Sequence, residues 1–97
     1  TTSAGHAFTL GVKDMGEISR AQSLEHAREL ASTTSLPLSA DLENGYGHSP
    51  LEVADTIRLA AAAGIAGCCI EDTALPDERP YDFDLAVERI SAAVEAA

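Results

Sequence analysis

Polar and apolar positions along the chain follow two alternating rhythms, one at helical spacing and one in short continuous runs. Leu24, Ala27, Leu30 and Ala31 recur at helical intervals. Just before them, Ser19-Arg20-Ala21-Gln22 has the spacing at which a serine and a glutamine cap each other's backbone, so a helix is predicted from Ser19 to the polar run Ser32-Thr33-Thr34-Ser35. Leu36-Pro37-Leu38-Ser39-Ala40-Asp41-Leu42-Glu43 reads as a strand, with Pro37 near its start, where a missing N–H is tolerated. Asn44-Gly45-Tyr46-Gly47 is a loop. A second helix starts with Ser49 as cap, Pro50 at the first helical position and Glu52 closing another capping box. Val53, Ile57 and Ala60 to Ala63 form its inner face, and Gly64 stops it. Ile65-Ala66-Gly67-Cys68-Cys69-Ile70 lacks polar alternation, as a strand covered on both faces does, and Glu71-Asp72 ends it. After a loop rich in proline and charge, Asp82 or Asp84 caps a third helix carrying Leu85, Val87, Ile90 and Val94.

The order helix, strand, helix, strand, helix, with a possible strand end before Ser3, predicts an α/β fold of right-handed parallel units. A parallel sheet needs cover on both faces, and two or three strands with three alanine-rich helices supply it poorly. The chain also begins with Thr1 rather than methionine. The expectation is one incomplete domain over residues 1–97, part of an eight-fold barrel that in full runs to about 250 residues.

Composition narrows the partners. Six Lys and Arg against 16 Asp and Glu leave a net charge of −10 in 97 residues, which argues against nucleic acid and against an anionic membrane surface, since both are bound through basic patches. No apolar run approaches the roughly 20 residues of a membrane span. The hydrophobic share is 45%, but aromatics make up only 4% and tryptophan is absent, so the core is thin. Cys68 and Cys69 are adjacent and form no disulfide framework; free, buried thiols in a reducing compartment are expected, and with them a cytoplasmic location.

Candidate chemistry gathers where the predicted strands end, because parallel sheets and barrels present functional groups at the carboxyl ends of their strands. Asp41 and Glu43 are two apart on the first strand, which puts both carboxylates on one face, and Glu71 ends the next. Three converging carboxylates repel unless a hard cation lies among them, and all-oxygen ligation with room for water suits Mg²⁺ better than Zn²⁺. The competing reading leaves Asp41, Glu43 and Asp72 as loop-entrance or capping residues of an acidic protein. His6, His26 and His48 share no ligand spacing and read as loop or surface residues.

The sequence Ser39-Ala40-Asp41-Leu42-Glu43-Asn44-Gly45-Tyr46-Gly47, preceded by Thr2-Ser3-Ala4-Gly5 and Leu10-Gly11-Val12-Lys13-Asp14 and followed by Ile70-Glu71-Asp72, resembles the isocitrate lyase/phosphoenolpyruvate mutase superfamily. The resemblance covers nearly the whole chain. It implies a (β/α)₈ barrel, of which these residues form the end of strand two through helix four. It also implies Mg²⁺ as cofactor and a small 2-oxo acid, or its enolate, as the chemical denominator. By position, Asp41 matches the direct metal ligand, while Glu43, Glu71 and Asp14 match carboxylates that hold the metal through water. Ser3 and Ala4 fall where members present backbone N–H groups to the substrate, with Thr2-Ser3 where Ser-Gly is usual.

Two departures refine the reading. Glu43 stands where many members carry Asp. The segment Thr73-Ala74-Leu75-Pro76-Asp77-Glu78-Arg79-Pro80 replaces the Lys-Lys-Cys-Gly-His loop of isocitrate and methylisocitrate lyases, so their catalytic thiol is missing. Decarboxylation or carbon–carbon cleavage of an oxaloacetate-like 2-oxo acid is therefore expected of the complete protein. Phosphonate chemistry at a phosphorus–carbon bond is the enzymatic alternative, and a non-catalytic barrel fragment that associates with other chains through its strand edges is the alternative from another class. A homo-oligomer is expected.

Overall fold

Two reciprocal capping interactions fix where the longer helices begin. In a computed structural model, which describes residues 1–97, Ser19 Oγ accepts from the Gln22 amide at 3.3 Å while Gln22 Oε1 accepts from the Ser19 amide at 3.0 Å, opening helix α2 (Arg20–Thr33). Ser49 and Glu52 repeat the arrangement at 3.3 and 2.9 Å to open helix α3 (Pro50–Ala62). Beyond α3, Gly64 takes φ +88°, the left-handed geometry that ends a helix without strain in a residue lacking Cβ. Asp82 precedes helix α4 (Phe83–Ala96) as expected, but its side chain makes no capping bond. One helix was unforeseen: α1 (Ser3–Thr9), started by Thr2 Oγ1 accepting from the Gly5 amide at 3.1 Å.

Strands β1 (Ser39–Asp41) and β2 (Gly67–Cys69) pair in parallel, with Ala40 opposite Cys68 and Asp41 opposite Cys69. Single bonds extend the pairing at both ends: Ala66 donates to Leu38 O at 2.8 Å, Leu42 to Cys69 O at 3.2 Å and Glu71 to Glu43 O at 2.7 Å. On the other edge of β1, the Thr1 nitrogen donates to Ser39 O at 2.6 Å and Asp41 N donates to Thr1 O at 3.3 Å. This is parallel pairing centred on Ala40, so the strand end expected before Ser3 lies at Thr1. Between β2 and α4 the chain forms a small antiparallel ribbon, β3 (Thr73–Ala74) with β4 (Arg79–Pro80), where only a loop was expected.

Helices cover one face of the parallel pair. Ala40 and Leu42 pack with Leu24 of α2 and Ala60 of α3, joined by Tyr46, Ile65 and Ile70; Val53, Ile57 and Ala93 form a second cluster where α3 meets α4. The opposite face carries Ser39, Asp41 and Cys69 and is open, giving a slab of 39 × 31 × 17 Å. Two expectations fail here. β2 is exposed along its length, and both thiols with it, because β1 is its only neighbour in the sheet and nothing overlies its second face. The apolar stripe of α4 is exposed too, Val94 by 71%, since α4 meets α3 through Arg89 and Ala93. Ile90 and Val94 line an apolar groove of about 410 Å³ with Ile57, Ile70 and Cys68. No helix is long and apolar enough to cross a membrane.

Leu42 is fully buried between sheet and helices, whereas Leu36 is 74% exposed. Leu42→Ala is expected to cost about 3 kcal/mol of stability and Leu36→Ala less than about 0.5 kcal/mol. Denaturant unfolding of the full-length variants checks this, and equal losses would contradict the packing described.

Candidate metal centre

Asp41 closes β1 with its carboxylate on the open face, where three donors from two segments fasten it. Ser3 donates to Oδ2 twice, from its amide at 3.2 Å and from its hydroxyl at 2.9 Å. The Glu43 amide donates to Oδ1 at 3.0 Å. A carboxylate offers about four lone-pair directions, so three donors orient Asp41 and leave it acceptor capacity. Ser3 thus spends its amide on Asp41. The neighbouring Ala4 amide, in the first turn of α1, has no acceptor within the chain.

Glu43 reaches the site differently from the strand alternation expected. β1 ends at Asp41, and Glu43 sits in the left-handed region at φ +47°, uncommon for a residue with a side chain and a frequent mark of functional positions. It is only 2% exposed, and neither carboxylate oxygen has a hydrogen-bond partner. Burial pushes its pKa up. The Gly16 amide, outside good hydrogen-bonding geometry, opposes the shift, and the charges of Asp14, Asp41 and Glu71 reinforce it. Asp14 lies on the half-buried turn between α1 and α2, just before Met15 at φ +72°, and its Oδ1 is buried without a partner. Glu71, exposed at the end of β2, also has its pKa raised, first by desolvation and then by Asp41, Asp14 and Asp72. The structure therefore brings Asp14, Asp41, Glu43 and Glu71 into one electrostatic neighbourhood.

No three of these groups lie close enough to ligate a single ion together. The arrangement suits a cation that takes one carboxylate directly and the others through bound water, as Mg²⁺ commonly does. The orphaned oxygens of Glu43 and Asp14 are acceptors in need of donors, and metal-bound waters are donors. The residues present fit Mg²⁺.

The loop after Glu43 is built from side-chain donors. Asn44 Oδ1 accepts from the Tyr46 amide at 3.1 Å, and Thr56 of α3 donates to Gly45 O at 2.6 Å. Arg89 of α4 donates to Gly47 O at 2.6 Å, to His48 O at 2.7 Å and to Asn44 O. Gly45 takes φ +81°, and a Cβ on Gly47 would stand 2.3 Å from Glu52 Cβ, so the loop needs both glycines. Burial, with Ser23 opposing and the site carboxylates adding, pushes the Tyr46 phenol up to about 12.

The histidines join no ligand set. His48 Nδ1 lies 2.9 Å from the Tyr81 hydroxyl. The His6 and His26 rings stack at 4.0 Å, and the His26 pKa is lowered by burial and by His6, with Glu29 opposing. His6 is half-buried in α1 rather than on a loop.

Glu43 also sets a pH prediction. Its folded pKa exceeds the unfolded value, so the folded protein binds the extra proton and stability falls as pH rises through that interval. With chelator present, Glu43→Gln is expected to raise the melting temperature at pH 7, the gain shrinking toward pH 4. Melting curves of the full-length pair check it, and a variant less stable than wild type at pH 7 contradicts the unpartnered carboxylate.

Residues 1–97 match the family model described as phosphoenolpyruvate phosphomutase. An oxaloacetate decarboxylase of Rhodopseudomonas palustris (strain BisA53) is 36% identical over 93 residues, covering 90% of this chain and 32% of the relative. The 2-methylisocitrate lyase of Escherichia coli (strain K12) is 34% identical over 97 residues, covering 93% and 33%. A crystal structure of a candidate lyase/mutase from Burkholderia cenocepacia J2315 superposes with a TM-score of 0.95 at 52% identity, covering all of this chain and 35% of that one. A phosphonopyruvate hydrolase in complex with oxalate and Mg²⁺ gives 0.89 at 28% identity, covering 99% and 35%. The chain spans about a third of the length of the relatives it matches. It belongs to the isocitrate lyase/phosphoenolpyruvate mutase superfamily.

Proposed function

We propose that the full-length protein is a Mg²⁺-dependent lyase acting on a small 2-oxo acid through an enolate, by decarboxylation or carbon–carbon cleavage of an oxaloacetate-like substrate. In this reading the present residues are the end of strand two through helix four of a (β/α)₈ barrel. The observation that carries the proposal is the Asp41 carboxylate, oriented by Ser3 and the Glu43 amide beside the unpartnered oxygens of Glu43 and Asp14. When bound, Mg²⁺ supplies electrophilic stabilisation of negative charge developing on the 2-oxo oxygen. Asp41 would hold the ion directly, and Glu43, Glu71 and Asp14 would hold its waters. Ser3 orients Asp41, and the free Ala4 amide donates to a substrate oxygen, a contribution that grows as charge accumulates there.

The segment between β2 and α4 supports release of pyruvate rather than succinate chemistry. It folds as the β3–β4 ribbon and carries no cysteine, so it offers no thiol acid to protonate a succinate carbanion. Cys69 lies opposite Asp41 in the ladder, on the strand rather than the loop. The second reading, cleavage or formation of a phosphorus–carbon bond, uses the same metal and amides. It is favoured by the description of the matching family model and by the phosphonopyruvate hydrolase neighbour.

Asp41→Ala is expected to abolish Mg²⁺ binding in the full-length protein, and Glu43→Ala or Glu71→Ala to weaken it by about tenfold, as loss of an outer-sphere carboxylate does. Titration calorimetry decides; unchanged affinity in Asp41→Ala refutes the metal assignment. Assays with oxaloacetate, 2-methylisocitrate, isocitrate and phosphonopyruvate, each with Mg²⁺ and with chelator, separate the readings. Oxaloacetate should be consumed only with Mg²⁺, and Cys69→Ala should keep at least about half the rate, a change of under 0.5 kcal/mol in the barrier. Efficient isocitrate cleavage would overturn the argument from the missing thiol, and preference for phosphonopyruvate would establish the second reading.

A further inference from the structure

Arg89 is 1% exposed, and no carboxylate pairs with it. An arginine buried without an acid costs free energy unless its donors are satisfied, so the groups it meets reveal what holds it there. Its guanidinium donates to the carbonyls of Asn44, Gly47 and His48. One face lies 4.0 Å from the centroid of the Tyr81 ring. The Tyr81 hydroxyl in turn lies 3.1 Å from Asn44 Nδ2 and 2.9 Å from His48 Nδ1. With Thr56 on Gly45 O, side chains from α3 and α4 grip four of the five carbonyls from Asn44 to His48. Such a loop has no ladder of its own, and these donors replace it. Glu43 is the residue immediately before it. Its carboxylate makes no hydrogen bond, so the backbone on either side, together with the packing around it, sets where that carboxylate points. The upstream side is held by the Asp41 bond to the Glu43 amide, the Glu43 carbonyl by the Glu71 amide, and the downstream side by the Gly45 amide on Leu42 O and by Arg89 on the Asn44 carbonyl.

We propose that Arg89 is a positioning residue for the acidic site: by clamping the carbonyls of Asn44, Gly47 and His48 it holds Glu43 in its left-handed turn and keeps the Glu43 carboxylate among Asp14, Asp41 and Glu71. The link to metal affinity rests on the function proposed above; the clamp itself does not. Lysine cannot substitute, because a single ammonium neither spans three carbonyls in one plane nor stacks flat on Tyr81.

Two measurements on the full-length protein test this, and they fail separately. In Arg89→Lys, amide hydrogen exchange across Glu43 to His48 should accelerate by about tenfold or more while the amides of α2 are unchanged, the signature of local rather than global opening. Unchanged exchange in the loop overturns the clamp. In calorimetric titrations, Arg89→Lys should weaken Mg²⁺ binding by about fivefold in the wild-type background and by less than about twofold in Glu43→Ala, because its effect passes through Glu43. Equal losses in both backgrounds overturn that route. Should Arg89→Lys fail to fold, Tyr81→Phe keeps the ring under the guanidinium but removes the hydroxyl held by Asn44 and His48, and the same changes are expected at smaller size. If wild type binds no Mg²⁺, the metal reading falls while the exchange measurement still decides the clamp.

Discussion

The carboxylate of Asp41 is the point at which the sheet, the first helix and the loop beyond β1 meet. Three protein donors converge on it from Ser3 and Glu43, while its own amide joins the Thr1 carbonyl across the sheet. An ionised acceptor makes each of these hydrogen bonds stronger than its neutral counterpart, so the start of α1 and the turn at Glu43 are both referred to one group. Orientation of the candidate ligand and local folding are therefore the same set of contacts. The Ala4 amide is placed by the same device, since it follows Ser3 in the first turn of α1.

The neighbouring carboxylates work against stability in the absence of a cation. Glu43 and Glu71 are both driven toward their protonated forms by desolvation and by like charge. Such a cluster persists because the surroundings fix it: the Glu71 amide bonds the Glu43 carbonyl, and donors from α3 and α4 grip the loop that follows. Preorganising charge that only a ligand can relieve is a common expense of metal and catalytic sites.

Much of this was legible in the sequence because it rested on local chemistry. Ser19 with Gln22, Ser49 with Pro50 and Glu52, and Gly64 at the end of α3 announce two helices almost to the residue. The acidic positions 41, 43 and 71 mark the candidate site, and their spacing alone draws attention to them. The covering of β2 was not predictable from its apolar run, since that pattern reports the environment a strand prefers, and these residues place only β1 beside it. Glu43 was expected on the pleat of β1, yet its proximity to Asp41 comes from a left-handed turn that residue type does not signal. Arg89 was missed because the apolar stripe of α4 drew attention to Leu85, Val87, Ile90 and Val94. The available signal lay on the adjacent stripe, where Arg89 stands among Ala86, Ala93 and Ala96: one large cation in a row of small residues marks a side chain that reaches past the helix contact.

In the proposed function Asp41 alone contacts the cation directly, while Asp14, Glu43 and Glu71 act through water. A crystal structure of the full-length protein with Mn²⁺ in place of Mg²⁺, the ion located by its anomalous scattering, tests it most directly. One ion is expected at about 2.1 Å from an Asp41 oxygen, with waters between it and the other three carboxylates. An ion bound directly by Glu43 or Glu71 and not by Asp41, or one bound away from this cluster, would contradict it.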